Sequence, residues 1–246
     1  MNRLALAVLI LFGLNGAAFA QSIDLSSILP EGQGSVSARI IHLIAALTVL
    51  SVAPGILVTV TCFTRLVIAL SFLRAGLGLP STPSNIVLVS LALFMSFFIM
   101  APTLEKVWND GLNPLLENKI DEKEAYKRGS QPLREFMQAN VREKDLRLFS
   151  QLAQNKLPAM TSEEAASDFR ILVPAFMISE LRRGFEMGFL ILVPFLVIDL
   201  IVATLVMSMG MMMLPPTSIS LPFKVLFFVL IDGWNLLVAG LVRSFG

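Results

Sequence analysis

Two long apolar segments, each carrying one aspartate, flank a joint that is rich in methionine. Five of the seven residues from 207 to 213 are methionine, and two prolines follow them closely. A charged side chain that faces lipid costs about 2.5 to 3.5 kcal/mol on insertion scales, so Asp199 and Asp232 must face protein or water. A glycine and the prolines favour a loop at the joint. The sequence therefore predicts a deformable, thioether-rich connection inside a membrane assembly.

The composition is typical of a membrane protein. The chain has 246 residues, of which 55% are hydrophobic and 15% charged, and its mean hydropathy is +0.76. The net charge is +1, and no basic stretch is interleaved with aromatics, so nucleic-acid binding has no electrostatic support. With one cysteine, Cys62, and one histidine, His42, an intramolecular disulfide, a four-cysteine metal site and a HExxH site are excluded within one chain. We predict no cofactor and no metal.

Residues 1–20 have the pattern of a cleaved secretory signal peptide. Arg3 precedes an apolar run, and an Ala-Phe-Ala tripeptide ends at Ala20. This pattern predicts cleavage between Ala20 and Gln21 and a mature chain that begins outside the cytoplasm. A short uncleaved membrane anchor is the alternative, although the apolar run is short for a span.

The mature chain is expected to be an all-α, membrane-associated protein with about four long apolar helical segments and one helical lobe. N-terminal apolar helices occupy 21–104, a charged lobe occupies 105–186, and C-terminal apolar helices with the methionine-rich loop occupy 187–246. Successive spans from an external N-terminus place the lobe outside the cytoplasm. The same order places the turns at 74–85 and 208–222 inside. The basic residues near these turns are Arg65, Arg74 and Lys224, which agrees with the positive-inside rule.

The charged lobe contains 13 basic and 14 acidic residues. Leu146, Phe149 and Leu152 recur at helical spacing, which predicts that the lobe is helical. Pro174 is expected in the first turn of a helix, because the backbone donor that proline lacks is unpaired there anyway.

Several interpretations of Asp199 and Asp232 are open at this point. The first is pairing with a base such as Lys224 or an arginine of a neighbouring chain, and the second is a proton-sensing or gating role. An intramembrane aspartyl protease would need two carboxylates that share protons. Its usual glycine-x-glycine turn is missing, since Gly233 follows Asp232 and nothing comparable surrounds Asp199.

Arg65 and Arg74 also allow two interpretations. They can mark the cytoplasmic end of a helix by extending their charged ends to the interface, or they can form buried ion pairs between subunits. Neither arginine has a partner that the sequence identifies.

The methionines of the joint can be core filler or a seal. Unbranched, polarisable side chains adapt to varied surfaces and close again, which suits a gasket around a passing polypeptide better than a fixed ion filter. A small-solute or ion transporter is the rival function, but such carriers place converging polar groups at a broken helix. Here the break carries methionine and proline.

Three parts of the chain resemble the FliP/SctR family of type III secretion export-gate proteins. The matching stretches are PAFMISELRRGFEMG at 174–188, TCFTR at 61–65 with LR at 73–74, and MMMLPP at 211–216 with LPFK at 221–224 and DGW at 232–234. The match spans nearly all of the mature chain. A signal peptide and a sizeable external lobe are typical of the flagellar branch, whereas injectisome-type subunits, the alternative within the family, are usually shorter and lack the signal.

The resemblance implies a core subunit of the flagellar export gate, not an enzyme. Members form pentamers with FliQ and FliR family proteins, beside other membrane proteins of the flagellar export apparatus, in the bacterial inner membrane at the flagellar basal body. Unfolded flagellar subunits pass transiently through the central pore, driven by the proton motive force. The chain lacks a GxxxxGK[ST] phosphate loop.

The resemblance also assigns roles to particular residues. The methionine closure of the family maps onto Met209, Met211, Met212 and Met213. In the family, the helices wind into a cone that lies largely outside the membrane, so charged residues on apolar helices face protein rather than lipid. Such buried charges are expected at subunit contacts or in charge pairs. These residues are Glu180, Arg182, Arg183, Asp199, Lys224, Asp232, Arg65 and Arg74.

Overall fold

A computed structural model describes residues 44, 47, 48, 51, 52, 55–154, 167–211 and 214–245. It contains two compact units, 1–51 and 52–246. In the first unit the four described residues are helical. The predicted signal peptide with Ala20 and Gln21, and also Met212 and Met213, lie outside the described residues.

Described residues of the second unit form helices without any strand, which confirms the all-α prediction. The helices in chain order are α1 (Phe63–Leu77), α2 (Asn85–Val107), a π-helical segment (Trp108–Leu112), α3 (Asn113–Leu116), α4 (Glu122–Asn140), α5 (Glu143–Gln154), α6 (Phe169–Ser208), α7 (Pro216–Leu230) and α8 (Gly233–Arg243).

Among the described residues, two helical stretches are long and apolar enough to cross a membrane, Asn85–Leu116 and Phe169–Ser208. Helices α7 and α8 meet at a bend of 66° and would together form a third span or a re-entrant hairpin. Both stretches run across the boundaries at 105 and 186 that the sequence suggested for the lobe, so the lobe is joined to the apolar part by continuous helices.

Helix α1 forms the centre of the hydrophobic core. Leu66, Ala69, Leu70 and Leu73 recur at helical spacing and are at most 1% exposed. Their neighbours come from α2, α6, α7 and α8. With 15 residues and burial on this scale, α1 is an internal helix of the fold rather than one that meets lipid along its length.

Helix α6 has 40 residues and is about 60 Å long at 1.5 Å per residue. Its N-cap is Asp168, whose Oδ1 accepts a hydrogen bond from the backbone N–H of Arg170 at 2.8 Å. Because the helix begins at Phe169, Pro174 lies in the second turn and the predicted first-turn position is wrong. The capping aspartate, which the sequence analysis overlooked, sets the start.

Glycines let α1 and α6 approach closely. Gly184 and Gly188 lie four residues apart on α6, and both face α1. A Cβ atom at Gly188 would lie 2.5 Å from Cδ2 of Phe72, and one at Gly184 would lie 3.3 Å from the Cα of Arg65. Small residues at this spacing are a recurrent device for close helix packing in membranes. The close approach brings the Arg65 side chain against α6.

We expect Gly188→Ala to destabilise the chain by about 1 to 3 kcal/mol, since the added methyl group overlaps the ring of Phe72. Unfolding of the detergent-purified chain, by heat or denaturant, measures the loss. The matched control is Gly240→Ala in α8, where no atom lies within 4 Å of the new Cβ. There the better helix propensity of alanine should leave stability unchanged or slightly raised. Equal effects at both positions would contradict the close-packing role.

Candidate functional site

Arg65 of α1 and Glu180 of α6 form an ion pair that is removed from solvent, with side-chain exposures of 1% and 0%. The contact is bidentate: Nε of Arg65 donates to Oε2 of Glu180 at 3.0 Å, and Nη2 donates to Oε1. The remaining nitrogen, Nη1, donates to the backbone oxygen and the Oγ of Ser244 at 3.0 and 3.1 Å. All three nitrogens of the buried guanidinium therefore have acceptors.

A second ion pair, in which Lys224 is buried and Asp199 is partly exposed, joins α6 to α7. Nζ of Lys224 lies 2.6 Å from Oδ2 of Asp199, and Oγ of Ser220 donates to Oδ1 of the same carboxylate at 2.6 Å. Lys224 also donates to the backbone oxygen of Gly76 at 3.0 Å. That carbonyl belongs to the last turn of α1, where helix carbonyls lack intrahelical partners and the helix dipole is negative. One lysine thus ties three helices together.

A third polar contact fixes the lobe beside the first pair. Oγ of Ser179, the residue before Glu180, lies 2.8 Å from Oδ2 of Asp145 in α5. It accepts a hydrogen bond from the backbone N–H of Arg142 at 3.0 Å. Both Ser179 and Asp145 are buried. The position of α5 is therefore linked to the same turn of α6 that carries the Glu180 carboxylate.

Asp232 has a different environment from Asp199. It lies at the bend between α7 and α8 with a φ of +52°, is exposed, and accepts a hydrogen bond from Nδ2 of Asn235. A Cβ on the next residue, Gly233, would lie 2.3 Å from the ring of Phe228, so the corner tolerates only glycine there. Asp232 and Asp199 thus have separate partners.

The other predicted charges lie nearer the surface. Arg182 pairs with Glu186 one helical turn away, at 2.8 Å between Nε and Oε1, and both side chains are more than half exposed. Arg183 is half-buried on the same turn. Arg74 donates from Nη1 to Oδ1 of Asn85, across the turn between α1 and α2. Such exposed contacts contribute little to stability.

The methionine joint begins where α6 ends at Ser208. Met209 is 72% exposed and Gly210 has a φ of +74°, which turns the chain away from the helix axis. Met211 is 37% exposed. Met209 and Met211 line an apolar groove of about 540 Å³ between α6 and α7. The thioethers that the structure describes in the joint therefore lie at the surface of the chain.

Polar partners that sequence reasoning missed complete both ion pairs. Ser220, Ser244 and the carbonyl of Gly76 come from distant parts of the chain. Serine at an apolar helix position is a weak signal, and a backbone acceptor gives none. Among the described residues, no group of three or more His, Cys, Asp or Glu side chains could hold a metal ion.

A family model described as the FliP family matches residues 46–241 of the chain. The chain belongs to the FliP family. The resemblance seen in the three sequence stretches is thereby confirmed. FliP-family relatives that the chain resembles include two "Flagellar biosynthetic protein FliP" sequences. Each matches over the full length of this chain and over its own full length. One, from Agrobacterium fabrum, is 58% identical and the other, from Rhizobium meliloti, is 59% identical.

A more distant FliP-family relative, the flagellar biosynthetic protein FliP of Bacillus subtilis, is 53% identical over 83% of this chain and 91% of its own. The family match and the two full-length alignments cover the residues of both ion pairs, Arg65 with Glu180 and Asp199 with Lys224. The two pairs therefore lie within the part of the chain that matches the family.

We expect Lys224→Met to lower the free energy of unfolding by about 1 to 3 kcal/mol. It leaves the Asp199 carboxylate and a helix-end carbonyl without their cation, although Asp199 keeps partial solvent access at 32% side-chain exposure. Denaturant unfolding in mild detergent measures the change. The control is Arg147→Met, which breaks an exposed pair with Glu143 and should cost less than about 1 kcal/mol. Equal losses would contradict the tying role of Lys224.

Proposed function

We propose that this FliP-family chain is a core subunit of the flagellar type III protein export gate, and that unfolded flagellar subunits cross the membrane through a channel which it helps to form. It forms a homopentamer in the bacterial inner membrane at the flagellar basal body, joined by FliQ and FliR family proteins and by other membrane proteins of the export apparatus. The lobe lies outside the cytoplasm. The match to the FliP family over residues 46–241 carries the proposal.

The distribution of charge and apolar surface supports assembly in a membrane. The deepest charges are paired inside the chain, whereas large apolar side chains are left exposed on α2 and α6, among them Phe94 at 74% and Leu190 at 69%. Exposed apolar surface on this scale marks contact with lipid or with partner proteins. A chain that satisfies its own buried charges can pack its outer faces against several different neighbours without leaving an ion unpaired.

The two rival functions find less support in the site. An aspartyl protease needs two carboxylates on one water, but Asp199 binds Lys224 and Asp232 binds Asn235 at the exposed corner. A solute carrier needs polar groups that converge at a helix break. The break after α6 presents Met209 and Met211 to an apolar groove. The flagellar names of the relatives favour the flagellar branch over the injectisome branch.

Within this function we assign the methionine joint to closure of the resting channel. Met209 and Met211 are exposed at the end of a long helix, and Met212 and Met213 follow them directly. Thioether side chains have low rotational barriers and pack against irregular surfaces, so a ring of five joints could seal around a chain and close again. The ring arises only from the proposed pentamer.

The first test is the native mass of the chain in mild detergent, expressed alone and together with its FliQ and FliR family partners. We expect a complex with five copies of this chain, which incorporates both partners on co-expression. The physical reason is that the exposed apolar faces of α2 and α6 favour burial against other subunits and partner proteins. A monomer or dimer that ignores both partners would refute the export-gate assignment, and solute flux in vesicles would then test the transporter.

The second test addresses the seal. Replacing Met209 and Met211 by alanine in the assembled complex should raise the leakage of small ions severalfold, because the shorter side chains cannot fill the closed joint. Conductance in planar bilayers measures leakage. Met207→Ala is the matched control, since Met207 is 64% exposed but lies within α6, before the four methionines assigned to the seal. Unchanged leakage in the joint variant, or equal leakage in the control, would contradict the seal.

A further inference from the structure

The turn that follows α8 reaches across to the Arg65–Glu180 pair. It consists of Ser244 and Phe245, and its own hydrogen bonds run back to α8: the backbone N–H of Ser244 donates to the oxygen of Leu241 at 3.3 Å, and that of Phe245 donates to Val242 at 3.2 Å. Leu241 is 1% exposed and anchors the end of α8 in the core. We call Ser244 and Phe245 the clasp.

The clasp covers the guanidinium of Arg65 from two directions. Ser244 accepts two hydrogen bonds from Nη1, and the ring of Phe245 lies over the guanidinium with 3.6 Å between its centroid and Cζ. A desolvated guanidinium over an aromatic face is a favourable cation–π contact. The hydrogens of Nη1 would otherwise point away from the Glu180 carboxylate without acceptors.

Phe245 also meets the lobe. Its ring stacks on Phe136 of α4, with 6.5 Å between centroids and 19° between planes. Phe136 also meets Phe176 of α6 edge-on at 6.0 Å. Phe136 packs against both hydrophobic clusters of the chain, the one around α1 and the one formed by Met137, Leu172 and Phe176. One aromatic ring of the clasp thus contacts both the buried ion pair and the lobe helix.

We propose that Ser244 and Phe245 are positioning residues that fix lobe helix α4 onto the α1–α6 pair, and so set the placement of the lobe with which the chain enters the export gate. Only the statement about entry into the export gate rests on the proposed function. Helix α5 has its own anchor, the contact between Asp145 and Ser179. Opening of the clasp should therefore release α4 and leave α5 in place, a difference that a general loss of stability would not produce.

Hydrogen exchange of the full-length chain in mild detergent tests the clasp. In Phe245→Leu, which keeps apolar volume but removes the aromatic face, amides of α4 around Phe136 should exchange about tenfold faster, since the two ring contacts together amount to roughly that factor. Amides of α5 should change less than about twofold. Phe245→Tyr keeps the ring and should exchange as the unmodified chain does.

Three results would overturn the proposal: unchanged exchange in α4 of Phe245→Leu, equal acceleration of α4 and α5, or the same behaviour of the Leu and Tyr variants. If Phe245→Leu does not fold, Phe136→Leu tests the contact from the other side with the same criteria. Phe98→Leu on the exposed face of α2 is the control for loss of an aromatic ring, and it should leave exchange in α4 unchanged.

A coupling experiment separates the clasp from simple packing. Combining Phe136→Leu with Phe245→Leu should accelerate α4 by clearly less than the product of the two separate factors, because the changes share the Phe136–Phe245 contact although each ring also has a contact of its own. Multiplied effects would refute the clasp. Native mass of the same variants tests whether the clasp sets the lobe for assembly, since a misplaced lobe should lower the yield of the five-copy complex. An unreduced yield would contradict this role of the clasp in assembly. If the unmodified chain forms no such complex, the proposed function fails while the exchange result still decides on the clasp.

Discussion

A guanidinium taken out of water needs an opposite charge and acceptors for its N–H groups, or the surrounding fold is destabilised by several kcal/mol. Arg65 meets this requirement through the Glu180 carboxylate and Ser244. The close approach of α1 and α6 at Gly184 makes the contact possible. Because the three groups lie far apart in sequence, the pair can form only when α1, α6 and the end of α8 are all in position. Breaking it would therefore disturb the whole helix arrangement.

The second pair extends the same logic to the methionine joint. Lys224 binds Asp199 on α6 and the carbonyl of Gly76 at the end of α1, and it lies on α7, the helix that follows the joint. The joint is thus held by α6 on one side and by an anchored helix on the other. In the closure that we propose, the thioether side chains adapt to the passing chain while α6 and α7, which support them, stay in place.

The sequence predicted the membrane class, the helical fold and the family, because these depend on composition, periodicity and local motifs. It did not pair Arg65 with Glu180, since a contact between residues 115 positions apart leaves no periodic signal. The sequence offers Lys224 as one partner of Asp199, and the two residues do pair within the chain. For Arg65 it offers a helix-end position or a pair between subunits, whereas Arg65 pairs with Glu180 inside the chain. The sequence did not predict the start of α6 at Phe169, because a single capping aspartate is a weaker sequence signal than a proline, which is common in the first turn of helices.

The coupling free energy between Arg65 and Glu180 tests the central claim most directly. It is obtained from denaturant unfolding of Arg65→Leu, Glu180→Leu and the double variant in mild detergent. Each single variant should lose about 3 to 5 kcal/mol, because it leaves one buried charge unpaired, and the double variant should lose less than the sum by at least about 2 kcal/mol. Additive losses, or a loss under about 1 kcal/mol in either single variant, would contradict the claim that this pair organises the fold.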